Sequence, residues 1–275
     1  MPGILDEIMQ YKRAEVERMM AAEPCCEVQA RMADAPQPRG FTAALTDEAV
    51  GVIAEIKRAS PSAGVIRDRD FDPAALARQY EDAGAVALSV LTDQKYFGGH
   101  VDHLIRARAA VSIPVLCKDF IHRRYQLFHA RAAGADAVLL IVAALQPSEL
   151  SMLLAQTHEL GMAALVEVHN FHELALAVGA GVQIIGVNNR DLTSFEVDLS
   201  TTEDIAVAVF PDRMLIAESG IVTRADVERL AAVGVDGVLV GTALMRADSP
   251  GAALADLIGV PRHPRGQQPP DDENC

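Results

Sequence analysis

Charged side chains inside apolar strand-like runs are costly to bury unless they are paired or put to use, and this chain of 275 residues carries several. Glu55 and Lys57 lie two apart in VIAEIK (52–57), so they point to the same face of one strand. Lys118 ends PVLCK (114–118), Glu167 sits in AALVEV (163–168), and IIGVN (184–188) leads through Asn188 to Arg190. Glu218-Ser219-Gly220 closes a seventh run, and Gly241-Thr242 closes an eighth. Taken singly, each of these residues reads equally well as a solvated rim residue or half of a structural ion pair. Together they bring two lysines, three glutamates, an Asn and an Arg to the same end of successive strands. Ammonium and carboxylate groups crowded in a partly dry mouth have their pKa values pulled apart, which supplies an acid and a base at one pH. Ser219-Gly220 and Gly241-Thr242 add small side chains and backbone N–H groups just before a helix start, a grip suited to phosphate.

The elements that must position these groups are rhythmic. Apolar runs recur at 52–57, 86–91, 114–118, 137–142, 163–168, 184–188, 213–218 and 237–241, with starts 21 to 34 residues apart. Each gap holds one helix and two short loops, and helical patterns fill 73–83, 122–133, 148–160 and 224–233. Three junctions share a phrase, Ala83-Gly84-Ala85, Ala133-Gly134-Ala135-Asp136 and Val233-Gly234-Val235-Asp236, in which glycine ends the helix in the left-handed conformation. Strand–helix alternation of this kind fits an open doubly wound sheet or a closed (β/α)8 barrel. No Gly-x-Gly-x-x-Gly turn follows 52–57, and the count of eight favours the TIM barrel. Residues 4–20 read as an amphipathic helix and 21–40 as irregular chain. The expected organisation is an N-terminal helical extension (1–45), the barrel (46–260) and a tail (261–275) of disordered composition.

Composition narrows the partners. Lys+Arg number 24 against 38 Asp+Glu, a formal charge of −14, so a nucleic-acid partner is disfavoured and an anionic ligand needs a local pocket. The four cysteines, Cys25, Cys26, Cys117 and Cys275, form no Cys-x-x-Cys pair, so neither a zinc site nor a disulfide framework is expected. The charged N-terminus lacks the apolar stretch of a signal peptide, and the longest uncharged run, Leu174 to Asn189, has 16 residues. The expectation is a cytoplasmic protein with no membrane partner. His100, His103, His122, His129, His158, His169 and His172 show no metal-ligand spacing and read as surface or satisfied structural residues. Asp119 points away from the Lys118 face and reads as structural. Phe97 and Phe120, just after the second and third runs, suit either loop packing or cover for an apolar ring.

Six phrases, in order, resemble the indole-3-glycerol phosphate synthase family. They are Ala54 to Ser62 (AEIKRASPS), Leu91 to Gly99 (LTDQKYFGG), Lys118 to Ile121, Val187 to Leu192 (VNNRDL), Ala217 to Ile221 and Gly241 to Met245. The similarity runs from the first helix to about residue 258. It implies a carboxy-lyase that closes the ring of 1-(2-carboxyphenylamino)-1-deoxyribulose 5-phosphate, with loss of CO2 and water, in tryptophan biosynthesis. No metal or organic cofactor is implied. The resemblance makes Lys118 the general acid at the substrate carbonyl, Glu167 a general base or a stabiliser of the cationic intermediate, and Asn188 an orienting group. Lys57 and Glu55 would contact the carboxylate and anilino region and assist dehydration. Ser60, Gly220, Gly241 and Thr242 would surround the phosphate. Arg190, Glu218 and Ser219 would complete a polar wall, and Phe97, Phe120, Leu139 and Leu239 would sandwich the aromatic ring. Other tryptophan-pathway enzymes become candidate partners. Thr242 stands where the family often has Ser, which keeps the hydroxyl. A rival barrel, phosphoribosylanthranilate isomerase, uses a Cys and an Asp where this chain has Lys57 and Asn188. A catalytically silent phosphate-binding barrel would be expected to have lost some of Glu55, Lys57, Lys118 or Glu167.

Overall fold

The computed structural model describes residues 3–265. Eight parallel strands close on themselves: β1 (Gly51–Ile56), β2 (Ala87–Leu91), β3 (Val115–Lys118), β4 (Ala137–Ile141), β5 (Ala163–Val168), β6 (Ile184–Asn188), β7 (Met214–Glu218) and β8 (Gly237–Val240). Helices follow the strands, so the chain is a (β/α)8 TIM barrel, as the periodic runs require. The predicted helical patterns fall on helices Pro73–Asp82, Arg124–Ala132, Pro147–Glu159 and Arg224–Ala232.

Strand parity splits the apolar residues into two layers. Val52, Ala54 and Ile56 of β1 face the helices, as do Val138 and Leu140 of β4 and Val238 and Val240 of β8. Ile53, Leu116, Leu139, Leu165, Ile216 and Leu239 face inward and fill the barrel. Successive side chains alternate between faces. Glu55 therefore shares the inward face with Ile53, Lys118 with Leu116, Glu167 with Leu165, and Glu218 with Ile216. The polar set is the carboxyl-end layer of the inward residues, above an apolar plug. At the opposite end Phe41 and Leu45 join the inner cluster. Gly51 and Gly237 admit Leu45: a Cβ at either would lie 3.0 and 3.1 Å from its methyl.

The repeated glycine phrases work as expected. Gly134 and Gly234 adopt φ of 87° and 81°, values that a side chain resists. The Asp that follows in two of the phrases has a structural use that spacing alone leaves open. Asp136 Oδ2 accepts the Val115 N–H at 2.8 Å, and Asp236 Oδ2 accepts the Leu215 N–H at 2.7 Å. Each latches the start of the preceding strand, at its first residue in β3 and its second in β7. Asp136 also receives Arg108 at 3.0 Å, and Asp236 receives Arg262 and Arg265 at 3.0 and 2.7 Å. Residues 261–265, at the start of the segment assigned to a tail, thus pack on the barrel, with Pro261 bridged to Ala49. The rest of that segment, 266–275, lies outside the described residues.

The N-terminal extension departs from expectation in one respect. Helix α1 (Ile4–Ala22) covers the predicted amphipathic stretch, but 21–40 is not wholly irregular, because it contains α2 (Cys25–Met32). Eight residues make a marginal helix on their own. Tertiary packing forms this one: Val28 is fully buried in a cluster with Val16, Tyr125 and Phe128. The Tyr125 hydroxyl donates to the Glu23 carbonyl at 2.9 Å.

Lys12 ties α1 to the barrel. Its ammonium lies 2.8 Å from Asp93, 2.9 Å from Asp119 and 2.6 Å from Glu15, and its side chain is 4% exposed. Burial opposes its charge, yet Asp119 and Asp93 more than offset this and hold its pKa above the ordinary lysine value. Lys12→Met leaves Asp93 and Asp119 without their cation. The expected loss is about 3–5 kcal/mol of unfolding free energy, read from urea titrations. A loss below about 1 kcal/mol, the level of an exposed pair, would show that the cluster is not stabilising.

Candidate active site

The inward residues at the carboxyl ends of the strands open into a cavity of about 620 Å³. Its walls include Glu55, Lys57, Ser60, Phe97, Lys118, Phe120, Leu139, Glu167, Asn188 and Arg190, together with Ser219, Gly220, Leu239, Gly241 and Thr242. Of the residues singled out from sequence, Glu218 alone sits beneath this wall. It is 1% exposed and reaches the cavity through Lys118.

Lys118 is the hub. Its Nζ donates to Glu218 Oε2 at 2.5 Å and lies 3.5 Å from Glu55 Oε2. Burial disfavours its charge, but Glu218, Glu55 and Glu167 together hold its pKa above the ordinary lysine value. Glu55 is shared between two cations, with Lys57 Nζ at 2.6 Å from its other oxygen. Burial alone would raise the Glu55 pKa; Lys57 and Lys118 reverse the shift and hold it low. Glu218 goes the other way. Buried, and facing Glu167 and Glu55 as well as Lys118, it is raised to about 7.

Across the mouth, Asn188 Nδ2 donates to Glu167 Oε1 at 3.2 Å. His169 Nε2 stands 3.3 Å from the same oxygen. Burial pushes the Glu167 pKa up, but His169, Lys118 and Asn188 outweigh it, and the carboxyl stays below its ordinary value. Arg190 is anchored by its own loop, its Nη1 donating to the Phe195 carbonyl at 2.9 Å. Asn189 ties β6 to β7, with its Nδ2 donating to the Ser219 carbonyl at 3.1 Å.

Close backbone approach shapes the rim. Ser219 and Gly220 are both left-handed, with φ of 67° and 84°. A Cβ at Gly220 would stand 2.5 Å from Val197, and one at Gly241 would stand 2.2 Å from Glu55 Oε1 and 3.0 Å from Lys57 Nζ. A larger residue at 241 would displace the Glu55–Lys57 pair. Thr242 opens the short helix Thr242–Arg246, whose leading N–H groups have no intrahelical acceptor. The apolar part of the cavity holds Phe97 and Phe120, ring centroids 5.9 Å apart, with Leu139 and Leu239. Together these surfaces can hold a flat ring, neutralise a carboxylate, grip a phosphate and move protons.

Several contributors went unrecognised in the sequence. Ile4, Leu5 and Ile8 of α1 line the cavity; their apolar stripe was visible, its destination was not. Pro61 and Ser62 join from a small hairpin, Ala59–Ser60 against Gly64–Val65. Asp119, read as structural, receives Lys12 and the Thr92 hydroxyl, the latter at 2.6 Å. Among the described residues no three His, Cys, Asp or Glu side chains are grouped to hold a metal ion.

A closed barrel that gathers cations, carboxylates and an apolar slot at the carboxyl ends of its strands is a (β/α)8 enzyme of small-molecule metabolism. The family model for indole-3-glycerol phosphate synthase matches residues 5–257, and the chain belongs to that family. An indole-3-glycerol phosphate synthase from Rhodospirillum rubrum is 50% identical over 264 residues, covering 94% of this chain and all of that protein. A crystal structure of a lactate oxidase from Pediococcus acidilactici aligns with a TM-score of 0.56 at 16% identity, over 74% of this chain and 67% of that one. That second likeness concerns the barrel fold alone.

Proposed function

We propose that this cavity turns 1-(2-carboxyphenylamino)-1-deoxyribulose 5-phosphate into indole-3-glycerol phosphate, a carboxy-lyase step of tryptophan biosynthesis. The family carries the reaction. The observation that carries the residue roles is the pairing of a half-buried ammonium, Lys118, with a carboxylate held anionic across the same mouth, Glu167. The ring carbon bearing the carboxylate bonds to the ketone carbon while the carbonyl oxygen takes a proton from Lys118. CO2 then leaves and returns its bonding electrons to the ring. The new hydroxyl takes a second proton, from Lys57, and departs as water, and Glu167 accepts the proton lost from the adjacent carbon.

Lys118 is loaded with a proton but gripped by Glu218 and Glu55. A substrate oxygen entering beside Nζ competes with those carboxylates and loosens the hold. Lys57 and Glu55 face the substrate carboxylate and assist dehydration, while Asn188 orients Glu167. Ser60, Gly220, Gly241 and Thr242 receive the phosphate. Arg190 and Ser219 complete the polar wall, and Glu218 supports it from beneath by holding Lys118. Phe97, Phe120, Leu139 and Leu239 sandwich the ring. Gripping a remote phosphate supplies binding energy to bend the chain into its cyclising shape.

Residues 46–260 are assigned as the catalytic barrel, with 1–45 as the extension that roofs it. The reading brings with it a cytoplasmic location and other tryptophan-pathway enzymes as candidate partners. No described helix is long and apolar enough to cross a membrane. The test is an indole-fluorescence assay on the purified chain with EDTA present, and the absence of Trp keeps the background low. A rising signal is expected. A flat trace with measurable substrate binding would reassign the barrel as a silent binding protein.

A further inference from the structure

His169 lies just beyond β5, two residues after Glu167, and its side chain is 13% exposed. Its ring is fixed from behind. Nδ1 is 3.0 Å from Glu173 Oε2, which also accepts the His169 backbone N–H at 2.8 Å. Glu173 is held in turn by Asn170, whose Nδ2 donates to Oε1 at 2.8 Å. Nε2 then projects toward Glu167 Oε1 at 3.3 Å, the oxygen that Asn188 also engages at 3.2 Å. Two groups from different elements thus converge on one oxygen of the carboxylate. Among the described residues no protein donor reaches the other oxygen, Oε2, and Glu167 lines the cavity.

We propose that His169 is a positioning residue for the reaction: backed by Glu173, it pins Glu167 Oε1 and leaves Oε2 to face the substrate as the proton acceptor. This inference rests on the reading of Glu167 as the general base. An imidazolium hydrogen-bonds Glu173 through Nδ1 and sets its charge against Glu167 through Nε2, so one cation faces both carboxylates. Burial opposes its charge, but Glu167 and Glu173 raise its pKa to about 10, so the cation persists at neutral pH. The charge in turn keeps Glu167 anionic. Lys118 and Glu218, from β3 and β7, also act on Glu167, and Asp191 beyond β6 faces His169 more distantly. The lysine remains in every variant below.

The test compares kcat/KM from pH 5 to pH 9 for the parent enzyme, His169→Gln, Glu173→Gln and Glu167→Gln. Glutamine at 169 keeps a donor but removes the charge. The acid limb should therefore move to higher pH by about one unit or more, as expected when an opposite charge is lost at this distance. Below the limb, kcat/KM falls about tenfold for each unit of movement. KM should change little. Glu173→Gln should shift the limb in the same direction by a smaller amount, and it carries the test if His169→Gln does not fold. A reduced melting temperature with an unmoved limb would assign His169 to the fold alone and overturn the inference. Retained activity in Glu167→Gln would instead overturn the base assignment, a result read independently of the limb.

Discussion

Lys118→Ala is expected to lower kcat by about 10²–10⁴-fold, the contribution of a positioned proton donor, while the barrel stays folded. Leu116 and the neighbouring strands hold the β3 backbone whatever side chain stands at 118, because the ammonium belongs to the mouth and not to the apolar plug below. The loss should fall on kcat more than on KM, since the residues proposed to hold the phosphate and the ring are others. Single-turnover kinetics with circular dichroism as the fold control would measure it, and retention of more than about a tenth of kcat would remove Lys118 from the acid role.

A second readout follows from charge. Lys118 is the cation that restrains the upward shift of Glu218, which already titrates near 7. Without it the folded-state pKa of Glu218 climbs further above its unfolded value. A carboxyl raised in this way favours the folded state most at pH below its unfolded pKa, and that contribution is lost as pH rises through the folded one. The variant should therefore lose stability between about pH 4.5 and pH 8 more steeply than the parent enzyme. Equal pH slopes in urea denaturation would show that Lys118 and Glu218 are not coupled.

Glu167→Gln is the second large effect, with an expected fall in kcat of about 10²–10⁴-fold. Glutamine keeps the shape and an acceptor for Asn188, but it cannot take up a proton at neutral pH. The carboxylate lies on the cavity wall and has no phosphate contact to lose, so KM should remain within a few-fold. Stability at neutral pH should fall modestly, because His169, Lys118 and Asn188 more than offset the burial of this anion and lose their partner. Rates at saturating substrate give the answer. A variant that kept most of its kcat with a raised KM would make Glu167 a binding group and leave the proton acceptor to be found elsewhere.

The candidate site residues were legible as one inward-facing set because strand periodicity is local. A period of two sends Glu55, Lys118, Glu167, Asn188 and Glu218 to the face already claimed by Ile53, Leu116, Leu165, Ile184 and Ile216. Position at a strand's carboxyl end then places them in one layer. The glycine phrases likewise announced their turns. Helix α2 was not legible, since its eight residues are stabilised by Tyr125 and Phe128 a hundred positions away. His169 read as an ordinary histidine for a different reason: its spacing, two residues after Glu167 and four before Glu173, was visible, but not that the ring would lie between the two carboxylates.

By itself the amino-acid sequence determined the repeat, the inward face of each strand, and which charged side chains would crown it. Tertiary structure alone decided which of those charges meet. Closure of the barrel sets β3 opposite β7, so that Lys118 binds Glu218 at 2.5 Å across a hundred residues of chain. It also lays α1 over the mouth, where Lys12 anchors it and Leu5 and Ile8 become cavity wall. Local patterning fixes the direction of a side chain, whereas its partners depend on which strands and helices closure brings side by side. The pKa shifts follow from those partners, and the proposed division of labour between an acid at Lys118 and a base at Glu167 rests on them.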